Sequence, residues 1–154
     1  MKVLAVDLGG THASCALVED TEILARIVIA ISDFSLLRPA LSAIEASIKK
    51  LNRDGSAQGI GFGFCGLVDA RTARVTATNG KFEDAPGIDF RGWARERLGL
   101  PLRLENDARL ALLGENYAGA GKSQTDVVMF TLGTGIGGVA MIDGKLLQGK
   151  HAQA

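Results

Sequence analysis

Asp7-Leu8-Gly9-Gly10-Thr11 is the stretch on which the fold turns. Val3-Leu4-Ala5-Val6 before it and Ala13-Ser14-Cys15-Ala16-Leu17-Val18 after it are apolar runs of strand type, so it reads as the tight turn of a β-hairpin. Its composition also suits an anion. Two adjacent glycines let backbone N–H groups approach a phosphate with no Cβ in the way, Thr11 adds a hydroxyl, and Asp7 at the strand end can hold a hydrated Mg²⁺ beside it. Taken alone, the stretch is equally a plain hairpin turn.

Working outward, the 154 residues are 47% hydrophobic, enough for one full core or for one lobe plus part of another. No apolar run reaches about 18 residues, and the start, Lys2 followed at once by strand, resembles neither a signal nor a transit peptide. A cytoplasmic protein with no membrane span is therefore expected. With 17 basic and 17 acidic residues, no basic block and only 5% aromatics, no nucleic-acid partner is expected either. Cys15 and Cys65 sit far apart in apolar surroundings and read as buried thiols, while His12 and His151 have no metal-ligand spacing.

Glu22 to Ala30, rich in Ile and Val, makes a third strand and completes an antiparallel meander. After Ser32-Asp33, a plausible cap, the positions Leu37, Leu41, Ile44, Ile48 and Leu51 form one face of a helix ending near Asp54-Gly55, with Pro39 in its first turns. Gly59 to Phe64 is a fourth strand whose exit, Cys65 to Asp69, reads as a loop at a strand's C-terminal end. Arg74 to Thr78 predicts a short strand, Asn79 to Gly87 a loop, and Asp89 to Leu98 a helix stopped by Gly99. Leu100 to Leu104 returns to the sheet. Glu105-Asn106-Asp107 stands at its end, before a helix from about Ala108 to Tyr117 with Leu110, Leu113 and Tyr117 on its core side. Asn106 or Asp107 also serves as an N-cap by type, which does not exclude catalysis by the same carboxylate.

Gly119 to Gln124 breaks the pattern and suggests a boundary, dividing the chain into residues 1–118 and 119–154. Beyond it come a strand from Asp126 to Leu132, the glycine turn Gly133-Thr134-Gly135-Ile136-Gly137-Gly138, a strand from Val139 to Ile142, and Asp143-Gly144, a type I′ hairpin signal. This repeats the first scheme of strand, glycine turn with threonine, and strand, and two such turns could face one nucleotide from opposite sides. Gly133, Gly135 and Gly138, and likewise Gly61, Gly63 and Gly66, fit G-x-G-x-x-G, but neither set lies between a strand and a helix as a dinucleotide site requires. Gly121-Lys122-Ser123 looks like the end of a P-loop, yet the first glycine of that motif would fall at Asn116.

Four motifs together carry a resemblance: Asp7 to Thr11, Gly61 to Asp69, Glu105-Asn106-Asp107-Ala108, and Leu132 to Gly138. In this order and spacing the chain resembles the ROK family of bacterial sugar kinases and repressors, over about the first half of a typical member. The resemblance implies an α/β, ribonuclease-H-like and actin-like lobe, an antiparallel meander plus parallel strands with helices, followed by the first hairpin of a second lobe. It implies ATP-dependent phosphorylation of a hexose 6-hydroxyl, glucokinase-like, with Mg²⁺. Asp107 would be the base, and Asn106, Asn79 and the backbone of Gly66 would bind the sugar. Asp7, Gly9, Gly10 and Thr11 would form the first phosphate loop, with Asp7 holding Mg²⁺ through water, and Gly133, Thr134 and Gly135 would form the second.

Cys65 stands where the family usually has proline, and Val139 where the second turn usually has a third glycine. The chain stops at Ala154, before the family's Glu-x-Gly-His segment, cysteine-rich zinc loop and adenine-binding half. No zinc site and no sugar phosphorylation by these residues alone are therefore expected, and an inert lobe acting by sugar binding or association is the alternative to an enzyme. Met1 leading straight into a strand, with no helix-turn-helix ahead of it, favours kinase over repressor. The apolar C-terminal hairpin would expose unpaired edges, so a homo-oligomer is expected.

Overall fold

The computed structural model of the chain describes residues 1–132 and 136–150. Strands β1 (Lys2–Leu8), β2 (His12–Glu19) and β3 (Glu22–Ala30) form the expected antiparallel meander. Alternation buries Leu4, Val6 and Leu8 of β1 and Ala13, Cys15 and Leu17 of β2 on the sheet's covered face. Helix α1 (Leu37–Leu51) then crosses to β4 (Ile60–Phe64), which lies parallel to β1. The excursion β5 (Leu67–Asp69), β6 (Arg74–Ala77), a 3₁₀ turn (Ala85–Gly87) and α2 (Phe90–Leu98) leads to β7 (Leu102–Asn106), parallel to β4. The sheet order is β3-β2-β1-β4-β7. This meander continued by parallel strands is the ribonuclease-H-like lobe that the resemblance implied.

The core lies between this sheet and helices α1 and α2, where Leu37, Ala40, Leu41, Ile44 and Ile48 of α1 are buried. Phe62 meets Phe90 edge-on with ring centroids 5.4 Å apart, and Phe64 lies 6.2 Å from Phe90 and 6.3 Å from Phe82. Such pairs add about 0.5–1.5 kcal/mol each to the burial of the rings.

After β7, helix α3 (Asp107–Ala118) leads to a separate antiparallel sheet of β8 (Val127–Leu132), β9 (Ile136–Ile142) and β10 (Lys145–Leu146). Leu112 of α3 packs there with Val139 and Met141 in a cluster of its own. The Asp143-Gly144 turn has φ of 51° and 70°, the left-handed pair that a type I′ hairpin requires.

Five local expectations are corrected. Ser32-Asp33 does not cap α1: its first amides, Leu37 N–H and Arg38 N–H, donate instead to Asp84 at 2.6 and 3.1 Å, across a long sequence gap. Residues 65–69 are not wholly loop, because Leu67–Asp69 pairs with β6. The strand expected at Leu100 to Leu104 runs two residues later, since parallel pairing sets Phe64 against Asn106. The core side of α3 is Arg109 and Leu112, while Leu113 and Tyr117 are exposed. A buried arginine interrupted the apolar period there. Finally, Ile136, Gly137 and Gly138 belong to β9 and not to the glycine turn, and Gly133 to Gly135 lie outside the described residues.

Candidate functional site

Parallel pairing aligns the C-terminal ends of β1, β4 and β7. Asp7 registers with Gly63, and Gly63 with Glu105; one step on, Leu8, Phe64 and Asn106 stand side by side. The chain leaves each strand here through its chemically distinctive stretch, Gly9 to Thr11, Cys65-Gly66 and Asp107. Open parallel sheets bind ligands at this edge, where successive strand ends leave a crevice.

Asn106 organises the right-hand side of the edge. Its Oδ1 caps α3 by accepting the Arg109 N–H at 3.1 Å, so both Nδ2 hydrogens remain available. One goes to Gly66 O at 3.0 Å and the other to Asp107 Oδ1 at 2.9 Å. Asp107, at the first position of α3, also takes the Ala108 N–H on Oδ1 at 2.9 Å. Its Oδ2 has no hydrogen-bond partner on another described residue. Half-burial pushes the Asp107 carboxyl above the usual range, the Ala108 N–H pulls the other way, and the nearby Asp7 charge raises it further. Behind it, the Arg109 Nη1 donates to Glu105 Oε1 at 3.2 Å, and that same oxygen accepts the Asn106 N–H at 2.8 Å.

Gly66 tolerates no side chain. An added Cβ would sit 2.7 Å from Ala77 O and 2.8 Å from the Phe64 ring, so glycine is what lets its carbonyl reach Asn106. Cys65 beside it is only part-buried, unlike the fully buried Cys15, yet that burial still pushes its thiol up to about 11, raised further by Asp107 and Asp7 and lowered by Lys81.

On the left, the β1–β2 connection is the three residues Gly9, Gly10 and Thr11, closed by Gly9 N–H donating to His12 O at 3.0 Å. Neither Gly9 nor Gly10 takes a positive φ, so backbone sterics do not demand glycine there. Gly10 instead faces open space where a Cβ would touch nothing, and its N–H and that of Thr11 have no partner among the described residues. The Thr11 hydroxyl lies 3.0 Å from His12 Nδ1. Lys81, from the loop that also carries Asn79, donates its ammonium to Gly10 O and, at 2.8 Å, to Ile31 O.

The sequence agrees with one family model throughout: the model described as ROK family matches residues 3–154. The chain belongs to the ROK family. Among its relatives, the glucokinase of Thermotoga maritima is 33% identical over 151 residues, covering 97% of this chain and 47% of the relative. The Lmo2764 protein of Listeria monocytogenes superposes with a TM-score of 0.88 at 30% identity, over 100% of this chain and 52% of that one. A ROK family glucokinase from Streptomyces griseus, solved in complex with glucose and AMPPNP, gives 0.86 at 30% identity, over 100% of this chain and 48% of its own. The chain thus spans about half the length of the curated relatives it matches.

Within this ROK chain, the residues singled out from the sequence gather at one sheet edge: Asp7, the Gly9 to Thr11 turn, Gly66, Asn106 and Asp107. Asn79 is exposed, two residues from Lys81, whose ammonium reaches the turn. Gly133, Thr134 and Gly135 lie outside the described residues, as do His151 and Ala154. Sequence reasoning missed Lys81 and Arg109. The spacing of Glu105 and Arg109, four apart across a strand end and a helix start, carried a faint signal; a lone lysine in a loop carried none.

Proposed function

We propose that the whole protein is an ATP-dependent sugar kinase acting on the 6-hydroxyl of a hexose. Residues 1–118 would form its sugar-side lobe, and residues 119–154 would open the nucleotide-side lobe. The observation that carries this is Asp107, one oxygen fixed by Asn106 and Ala108 and the other without a partner on another described residue, on the edge it shares with Asp7 and the open glycine turn. The relative called a glucokinase and the neighbour that holds glucose and AMPPNP support the same substrates.

In this mechanism Asp107 Oδ2 accepts the proton of the sugar 6-hydroxyl as that oxygen attacks the γ-phosphoryl group. Its raised proton affinity makes it a better base than an ordinary aspartate. Asn106 and Asn79 hold neighbouring hydroxyls, and Gly66 lets the backbone line the sugar. The amides of Gly10 and Thr11 receive phosphate oxygens, and Gly133, Thr134 and Gly135 would do so from the other side. Phosphoryl transfer needs mainly such positioning and charge neutralisation.

Mg²⁺ fits this site. Asp7 is exposed and its carboxylate has no hydrogen-bond partner among the described residues. The described residues contain no group of three or more metal-ligating side chains, and Mg²⁺ bound with a nucleotide needs only one or two carboxylates because it keeps several waters. When bound, it would neutralise charge on the phosphates. Asp7 would hold it through water.

Hexose-dependent ADP release from Mg-ATP by the whole protein tests the assignment. Asp107→Ala should lower turnover by about 10²–10⁴-fold, the contribution of a positioned base, with the thermal transition retained. Undiminished turnover in that variant would remove Asp107 from the mechanism.

A further inference from the structure

We propose that Lys81 is a positioning residue that sets the direction in which the first phosphate turn presents its Thr11 N–H; its purpose rests on the phosphate-binding role given above to that turn. Three observations converge on it. The Lys81 ammonium donates to Gly10 O and to Ile31 O, the latter at 2.8 Å, and the Ile31 N–H donates to Thr11 O at 2.9 Å. The carbonyls on both sides of Thr11 are therefore turned toward residues 31 and 81. A trans peptide is planar with its N–H opposite its C=O, so holding Gly10 O aims the Thr11 N–H the other way, where it has no partner among the described residues.

The second observation is how Lys81 is delivered. Phe82 has φ of 61°, a left-handed conformation that is costly for a bulky side chain, yet its ring is fully buried against Phe64. Its N–H donates to Ser35 O at 3.0 Å and its carbonyl accepts the Ala85 N–H at 2.8 Å. Two residues on, Asp84 caps α1. The loop is thus pinned into the core on one side of Lys81, and the ammonium, 4.9 Å from the Phe82 ring centre, has a fixed origin.

The third is the freedom of the turn without it. Gly10 has no Cβ and faces open space, so among the described residues no side-chain packing there resists a flip of the Gly10–Thr11 peptide. A cation with several protons suits the task, because one group can take two carbonyls from different loops. Since Asn79 lies two residues before Lys81, the arrangement also ties the sugar-side loop to the phosphate turn.

The test is ¹⁵N relaxation of this chain, wild type against Lys81→Met, which keeps the stem over Phe82 and removes the donor, and Lys81→Arg, which restores one. In Lys81→Met the order parameters of Gly10 and Thr11 should fall from about 0.85 toward 0.6 or below, and in Lys81→Arg most of that order should return. Loss of a charged hydrogen bond should also speed exchange of the Ile31 amide and weaken binding of Mg²⁺-tripolyphosphate, each by about tenfold. Unchanged order at Gly10 and Thr11 in Lys81→Met would overturn the proposal, as would equal loss in Lys81→Arg. If the turn loosens as expected but tripolyphosphate leaves the wild-type Gly10 and Thr11 resonances unmoved, the positioning role stands and the phosphate role of the turn falls.

Discussion

Replacing Gly66 by alanine should destabilise the chain sharply, whereas the same change at Gly61, five residues earlier, should not. At Gly66 the new Cβ would lie 2.7 Å from Ala77 O and 2.8 Å from Phe64 Cε1. Neither neighbour can yield. Ala77 O belongs to β6, and the Phe64 ring is fully buried with Phe82 and Phe90 around it. Overpacking of this kind costs about 1–3 kcal/mol, and a shifted Gly66 carbonyl would also weaken the 3.0 Å bond from Asn106, worth about 0.5–1.5 kcal/mol. Together these imply a loss of about 2–4 kcal/mol, or roughly 5–15 °C in melting temperature for a chain of this length. At Gly61 an added Cβ meets nothing and φ is unexceptional, so alanine should be neutral or stabilise by about 0.4–1 kcal/mol through the unfolded state. Gly63→Ala should fall between them, because its tightest contact, Leu110 Cδ1 at 3.2 Å, is the movable end of a side chain. Circular-dichroism melts and urea midpoints of the three variants decide the matter. A Gly66→Ala protein that melts as high as Gly61→Ala would refute the argument and, with it, the reading that glycine at this position is what lets its carbonyl reach Asn106.

Asp107→Asn should raise the melting temperature near neutral pH, because burial and the Asp7 charge disfavour the ionised carboxylate in the folded state. An acid whose folded affinity for its proton is raised contributes stability at low pH that is lost as pH rises through the folded value. The gain of the asparagine variant should therefore vanish on acidification below the ordinary aspartate range, and a gain that persists there, or no gain at neutral pH, would contradict this account. Asp84→Ala should cost about 1–2 kcal/mol by uncapping α1, whose Leu37 and Arg38 amides it accepts, and Ser32→Ala should cost far less. Hydrogen exchange at Leu37 and Arg38 distinguishes the two, and equal effects would restore Ser32 as the cap.

Much of this fold was legible from residues close together in the chain. The meander follows from three successive strand-type runs with short connections, the helix stop from a glycine at 99, found at φ of 68°, and the last turn from Asp143-Gly144, both found left-handed. Backbone sterics and side-chain periodicity act within a few residues, so the sequence carries them directly. The four motifs likewise marked strand ends before any strand was paired. What the sequence alone could not supply is which distant groups meet. Asp84 capping α1, Asn106 reaching Gly66 O and Lys81 holding Gly10 O join residues 47, 40 and 71 positions apart. Each depends on the register of β1, β4 and β7, which is chosen by burial of whole strands and not by the residues that end up in contact. The face of α3 was misread for the same reason. Arg109 is buried because Glu105, Val68 O and Gln148 O are there to receive it, and no periodicity of apolar residues announces a charge whose partners come from elsewhere in the fold.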